Sequence, residues 1–363
     1  MKTYCPYRIC PLGAHIDHQY GVVSGAAINL GITFKYDVIE NKIILTSRDY
    51  KGIIEIEINS KLIRQNDWAD YFRGVLKELK NKYKICKGLK GEFEGDLPSG
   101  GISSSSSSMI AFLMAICNIN SISLTKKEII NIVYKVEKDY MNLNVGILDP
   151  SMEVLSKKNS LIFLDTLTNY YQIIENEKFN DEFQFIIIYS GKKRNLVESK
   201  YNDRINELNE AYKKLDIKLN KTKKLRDIPE YYFSSFKYKL SKIEEKRCNH
   251  YYSEMERVRN GLKAWRNNDI KTFSKLMNDS CESSIYNYES GSEYLINLYN
   301  ISKSIDGVLG FRFLGAGFNG SSLALIKKDK FDDINESFKR LYLSKYPKID
   351  LRILKVTLED GIK

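Results

Sequence analysis

Residues 97–117 read LPSGGISSSSSSMIAFLMAIC, and no other stretch restricts the fold so tightly. Gly100 and Gly101 open backbone conformations that a Cβ forbids. Six serines follow, and MIAFLMAIC is apolar enough for a buried helix. The serines then bring the chain to a helix start, where unpaired amide hydrogens point outward. Such an end attracts an anion, most commonly phosphate. The hydroxyls of Ser103, Ser104, Ser105 and Ser106 add donors, and one of them can sit on Mg2+. No lysine follows the glycines, so the GxxxxGK[ST] phosphate loop is excluded. A Gly/Ser linker is the competing reading, and the apolar flank argues against it.

Other function classes fall away on composition. No apolar run in the 363 residues approaches the roughly 20 that a membrane span needs. The first ten residues hold no apolar signal core, which predicts a cytoplasmic protein without a membrane partner. The six cysteines form no CxxC pair and three histidines are too few for a His-rich metal site, so reduced thiols are expected. The net charge of +11 comes from lysines spread along the chain. No nucleic-acid partner is expected from that spread, and the surplus favours an anionic substrate or nucleotide.

Residues 1–60 are strand-like, with a turn at 49–52 between IILTS and IEIEI. Residues 67–83 have helical spacing, with Trp68, Tyr71, Phe72, Val75, Leu76 and Leu79 on one face. LKGEFEG is a strand that runs into the glycine-serine loop. A helix follows, capped by Ser123 or Thr125 and reaching Met141. NLNVGILDPSMEVL is a loop entering a helix, and NSLIFLDTLT is a strand near the expected domain boundary at 170. FQFIIIYSG reads as a buried strand, RNLVESKYNDRINELNEAYKKL as a long helix, and 213–247 as surface helices and loops. A helical hairpin turns at 267–269, two strands flank LGAGFNGS, and LRILKVTLED is a final strand. Hairpins outnumber βαβ units, which favours α+β.

Three glycine-punctuated pieces carry the chemistry. PYRICPLGAHIDHQYG, at 6–21, gathers Arg8, Ala14, His15, Asp17 and His18; by itself it is also a plausible polar turn. The serine loop is the second. LGAGFNGS, at 314–321 and preceded by Arg312, is the third, and by itself it reads equally as a tight hairpin.

In this order the pieces resemble the GHMP small-molecule kinases. The first resembles the galactokinase signature GRVNLIGEHTDYN, the second the family's ATP loop, and the third, as GAGFNG, its GGGFGG segment. VEKDYMNLNVGILDP resembles the galactokinase stretch ending GIMDQ, WADYFRGV another galactokinase segment, and SKYNDR the family's SEYPVR. The resemblance implies an α+β fold in two domains. Residues 1–170 would form a domain like ribosomal protein S5, and 171–363 a ferredoxin-like domain. It implies ATP and Mg2+ as cofactors, a sugar or sugar acid as acceptor, and a monomer.

Residue by residue, the resemblance implies Asp149 as the base or orienting carboxylate at the sugar's C1 hydroxyl, with Arg8 facing it. Without the family, Asp149 reads as a helix cap before Pro150. Glu137 with Ser105, or its neighbour Ser104, would hold Mg2+. Trp68 would lie against adenine, with Gly100, Gly101 and Ser103 to Ser106 around the phosphates; Trp68 reads equally as a core residue. His15, Asp17, Tyr201, Gly315 and Gly317 would meet the sugar. Ala14 stands where galactokinases carry the acid that meets the C6 hydroxyl. This brings the chain nearer the galacturonokinase-like members, because a carboxylate there would repel a sugar acid. His18, a tyrosine in galactokinases, would donate to that acid. Neutral galactose, or a non-catalytic sugar and ATP sensor, are the alternatives. Two departures stand out: Ala316 and Asn319 replace glycines of the third motif, and the serine loop is one residue shorter than usual.

Overall fold

The computed structural model describes residues 1–97, 101–192, 200–215 and 222–362. In chain order the first half holds β1 (Lys2–Ile9), β2 (Val22–Glu40), β3 (Lys42–Ser47), β4 (Ile54–Glu57), α1 (Asp70–Lys80), β5 (Lys87–Gly95), α2 (Ser104–Ile119), α3 (Lys126–Lys135), α4 (Leu148–Leu155), β6 (Ser160–Asp165) and β7 (Tyr171–Glu175). The second half holds α5 (Phe179–Glu182), β8 (Phe183–Tyr189), α6 (Tyr201–Leu215), α7 (Glu230–Phe236), α8 (Lys242–Arg266), α9 (Ile270–Tyr286), α10 (Glu293–Ser302), β9 (Val308–Phe313), β10 (Ser321–Lys327), α11 (Phe331–Lys345), β11 (Arg352–Val356) and β12 (Leu358–Glu359).

β2 is the spine of an eight-stranded sheet ordered β4-β3-β5-β2-β6-β7, with β1 and β12 also paired to β2. It is long enough to pair β6 through residues 22–25, β12 through 27–28 and β5 through 32–40. β2 is buried at every residue from Val22 to Ile28 and packs against α2, which is itself buried nearly all round. β7 and β12 both lie beyond residue 170.

The second sheet is antiparallel with order β11-β8-β10-β9. Two strands joined through helices, a hairpin, a helix and a last strand that returns beside the first make the ferredoxin-like βαββαβ plan. β8 shows why its apolar run is unbroken. Phe185 and Ile187 pack into the main core, while Ile186 and Ile188 pack into a second cluster with Phe311, Phe313 and Phe338. Side chains alternate across a strand, so a strand covered on both faces shows no polar alternation.

The α+β reading and most elements stand. The α3 start is a capping box, with Thr125 accepting from the Glu128 N–H and Glu128 accepting from Thr125. The hairpin of α8 and α9 turns at 267–269 as expected. Three differences have physical causes. The helix expected to run on to Met141 gives way to a π-helical turn at Val136–Tyr140. LRILKVTLED splits between two sheets, because the Asn29 side chain accepts the Thr357 N–H and turns the chain toward β2. The segment 213–247 is not all surface. Its residues 216–221 lie outside the described residues, but Leu225, Ile228 and Phe233 are buried. The Leu225 N–H donates to Gln19 Oε1, and Arg226 pairs with Asp165, so this segment packs over the first motif.

Candidate active site

A cleft of about 650 Å³ runs between the two sheets' loops and is lined by residues of both halves. Arg8 enters from β1 and is 2% exposed. Its Nε donates to Asp149 Oδ1 at 2.8 Å, and its Nη1 to the Gly101 carbonyl at 2.9 Å. One guanidinium therefore links the first motif, the serine loop and the start of α4. Burial works against the Arg8 charge, but the Asp149 carboxylate outweighs it and holds the guanidinium above its usual range. Asp149 keeps 30% of its side chain exposed, toward the cleft.

Ser103 precedes α2 at φ +68° and Gly101 takes φ +80°. A Cβ on Gly101 would meet the Leu314 carbonyl oxygen at 2.6 Å, so the serine loop and the third motif touch here because this residue has no side chain. The Ser103 side chain does not cap α2 and no acid occupies its first turn, which leaves its positive end, with Ser103 to Ser105, at the cleft. Ser103, Ser104 and Ser105 line the cleft. Ser106 does not: its hydroxyl turns inward to Glu153 Oε2 at 2.6 Å, because a helix spreads four consecutive side chains around its axis. Gly100 lies outside the described residues.

Glu137 is 5% exposed, lines the cleft and accepts from Ser105 Oγ at 3.2 Å. The π-helical turn sets the direction in which it projects, and such turns are frequent at functional sites. Of the two candidate serines, the structure brings Ser105 to it. Among the described residues no cluster of three or more His, Cys, Asp or Glu could hold a metal. Two oxygen donors beside the start of α2 fit Mg2+, which takes few protein ligands and keeps waters and phosphate oxygens.

The first motif's loop is held from the second half. Gly13 takes φ +98°. Its N–H donates to Glu254 Oε1 at 2.7 Å, and the Ala14 N–H lies 3.3 Å from the same oxygen. His250, one turn earlier on α8, lies 2.9 Å from the Ala14 carbonyl through Nε2. Glu254 is wholly buried. Burial opposes its charge, yet Arg257, His250 and Arg312 draw it down to about 2. Arg257 Nε donates to Oε2 at 2.6 Å and Arg312 Nη1 lies 3.8 Å from Oε1. Burial pushes His250 down to about 4, so two guanidiniums face one carboxylate behind Ala14, a net positive charge.

His15 lines the cleft in a left-handed conformation at φ +60°, rare for a residue with a β-carbon. It stacks on Tyr288 at 4.2 Å and its Nε2 lies 3.1 Å from Ser290 Oγ. Asp17 lines the same end, and burial together with the Asp149 charge pushes it up to about 6. A side chain at Gly146 would collide with the Asp17 carboxylate. His18 is not brought to the cleft. The short turn Asp17–Gln19 sends it the other way, to Tyr288 Oη at 3.2 Å, and burial with Lys224 nearby pushes it down to about 3. Its Nε2 is engaged with Tyr288 Oη, and His18 is not among the residues that line the cleft. Tyr201 lines the cleft from the start of α6, as do Arg312, Gly315 and Ala316; Gly317 does not.

At the other end Trp68 lines the cleft with Tyr50, Tyr71, Phe72 and Phe93. Its ring stacks on Tyr50 at 5.9 Å, and its Nε1 is buried without a hydrogen-bond partner.

Sequence reasoning passed over Glu153, Glu254 and His250. For the last two a signal exists: they lie four apart in HYYSE, on one face of a helix, and charged residues are rarely buried unless paired.

A family description, GHMP kinases N terminal domain, matches residues 70–157. A galacturonokinase of Arabidopsis thaliana is 35% identical over 352 residues, covering 90% of this chain and 82% of that protein. A galactokinase of Lactobacillus helveticus is 32% identical over 354 residues, covering 93% of this chain and 89% of that one. Among solved structures, Lactococcus lactis galactokinase complexed with galactose is similar with a TM-score of 0.91 at 27% identity, over 100% of this chain and 94% of the other. A mevalonate kinase, at 18% identity and TM-score 0.71, shares the fold. No helix among the described residues is long and apolar enough to cross a membrane. With its sheets, its glycine and serine loops and its relatives in agreement, the chain belongs to the GHMP kinases, among the galactokinases and galacturonokinases, and is a phosphotransferase whose acceptor is a hydroxyl group.

Proposed function

We propose that this protein transfers the γ-phosphoryl of ATP to the anomeric hydroxyl of a galactose-configured sugar, with galacturonate favoured. The observation that carries the reading is the Arg8 guanidinium, held between Asp149 and the Gly101 carbonyl. It puts a fixed cation and a carboxylate beside the bare start of α2. The C1 oxygen forms its bond to phosphorus as the bond to ADP breaks. Asp149 accepts the hydroxyl's hydrogen bond and aims the oxygen, or takes its proton. Arg8 offsets the charge that spreads over the transferring group. Such transfer depends on positioning and charge more than on covalent chemistry. Ser103, Ser104 and the start of α2 would receive the phosphates, and Trp68 the base. Ser105 and Glu137 would hold Mg2+, which neutralises phosphate charge when bound. His15, Asp17 and Tyr201 would meet sugar hydroxyls.

The preference for a sugar acid draws on Ala14 and on what lies behind it. No acid reaches into the cleft at that position, and Arg257 with Arg312 outnumbers Glu254. Both favour an anionic substituent. The galacturonokinase relative points the same way, while the likeness to galactokinase supports neutral galactose as the second reading. A panel of sugars and sugar acids, assayed for ATP-dependent phosphorylation with the product located at C1 by phosphorus NMR, tests both. Turnover of galacturonate above galactose is expected. Turnover of galactose alone defeats the preference, and turnover of neither defeats the reading.

A further inference from the structure

α4 carries two carboxyl groups one helical turn apart, Asp149 and Glu153. The first faces the cleft. The second is wholly buried and points into the first turn of α2. Glu153 Oε2 lies 2.6 Å from Ser106 Oγ, and Oε1 lies 2.6 Å from Ser107 Oγ. Ser107 Oγ is also 3.1 Å from the carbonyl oxygens of both Pro6 and Ser103. A hydroxyl has one proton to give, and an ionised carboxylate only accepts. Three acceptors around Ser107 Oγ therefore compete for one proton if Glu153 is charged.

A proton on Glu153 relieves the conflict, because the Ser103 carbonyl already accepts the Ser107 N–H at 3.0 Å. Oε1 then donates to Ser107 Oγ, Ser107 donates to the Pro6 or the Ser103 carbonyl, and Ser106 donates to Oε2. Among the described residues no cation is hydrogen-bonded to Glu153. The facing charged and titratable groups are Arg8 and Cys5 on β1 and Asp149 on the same helix. Arg8 gives its Nε to Asp149 and its Nη1 to Gly101, and the other two oppose a negative charge. Burying a carboxylate without a paired cation is costly. In accord with this, burial holds the Glu153 carboxyl well above the usual range, against the pull of Ser106, Ser107 and Ser103.

We propose that Glu153 is a neutral acid and a positioning residue: it latches α4 onto α2, so that Asp149 and the phosphate-binding serines hold one fixed separation. Its neutrality also adds no second negative charge beside the Arg8–Asp149 pair.

Glutamine reproduces the neutral acid, with its amide donating to Ser107 and its carbonyl accepting from Ser106. The kinetic arm of the test rests on the phosphoryl-transfer reading; the spectroscopic arm does not. Glu153→Gln is expected to keep kcat and both KM values within about twofold, with an unshifted pH profile. Glu153→Ala is expected to lose about ten- to a hundredfold in kcat with KM for ATP nearly unchanged, because misplacement of reacting groups is felt in turnover. The infrared difference spectrum of wild type minus Glu153→Gln, at neutral pH, is expected to show the C=O stretch of a protonated carboxyl group. Absence of that band overturns the neutral acid. A Glu153→Gln protein as impaired as Glu153→Ala, or unfolded, overturns it as well, and full turnover by Glu153→Ala removes the positioning role. The band in a protein that phosphorylates no sugar upholds the neutral acid and refutes the kinase reading alone.

Discussion

Ala14→Glu is the sharpest test of whether the acceptor carries a charge. The backbone at this residue is gripped on both sides, its N–H near Glu254 and its carbonyl against His250, and the side chain borders the cleft. A glutamate grafted there borders the cleft, where the proposed sugar acid would lie. Two like charges about 4 Å apart repel by roughly 4 kcal/mol at an effective dielectric constant near 20. Solvent in an open cleft screens part of this, so about 2 kcal/mol is a fair expectation, equal to about thirtyfold in kcat/KM. The assay is ADP release with galacturonate and with galactose, for both proteins, beside a thermal melt to establish that the variant folds. The kcat/KM for galacturonate should fall about thirtyfold relative to that for galactose. An equal loss with both sugars means that the added side chain only obstructs the site. An unchanged ratio refutes the charge argument.

Three other variants separate the roles in the cleft. Asp149→Asn should lower turnover at least about a hundredfold, since it removes the carboxylate at the acceptor. It should also lower stability by about 1–2 kcal/mol in urea titrations, because buried Arg8 loses its countercharge while Asp149 itself is part exposed; unimpaired turnover would take Asp149 out of the reaction. Asp17, pushed up to about 6 from an unperturbed 3.8, binds its proton more tightly folded than unfolded. Its contribution to stability is therefore full below pH 3.8 and lost as pH rises through 6. Asp17→Asn should then be more stable than wild type by about 2 kcal/mol at pH 7.5 but no more stable near pH 3.8, with a higher KM for sugar; an equal gain at both pH values would contradict the desolvation argument. Trp68→Ala should raise KM for ATP about tenfold with kcat little changed, as loss of base stacking does; an unchanged KM would return Trp68 to a packing role.

What the sequence shows and what it hides divides along the range of the contacts. The serine helix, the hairpin at 267–269 and the doubly buried β8 were legible because each is written in neighbouring residues: a glycine pair before an apolar run, a polar break between amphipathic runs, four apolar residues in a row. The cleft itself was legible only through the resemblance of three separate motifs. Nothing local reports that Glu254 holds Gly13 from 241 residues away, or that residues around Leu225 cover the first motif. The direction of a side chain was equally hidden. HIDHQ lists its polar residues without saying that a tight turn sends Asp17 into the cleft and His18 out of it, and SSSS does not say which hydroxyl faces the cleft and which a buried acid.

Glu153 and Glu254 show why burial alone does not decide charge. Both are wholly buried, and in both the largest influence is desolvation, which favours the neutral form. They end at opposite extremes because of their partners. Glu254 faces two guanidiniums, accepts from the Gly13 N–H and from Ser280 Oγ, and is drawn down to about 2. Glu153 has two serine hydroxyls, and one of these is contested by two carbonyls. The difference suits their places. Glu254 anchors the loop of the first motif from a distance, where its charge is spent on its own arginines and leaves a positive remainder toward the cleft. Glu153 lies one turn from Asp149, where a second negative charge would compete for Arg8. A neutral carboxyl at 153 leaves the Arg8 guanidinium to Asp149 and the Gly101 carbonyl.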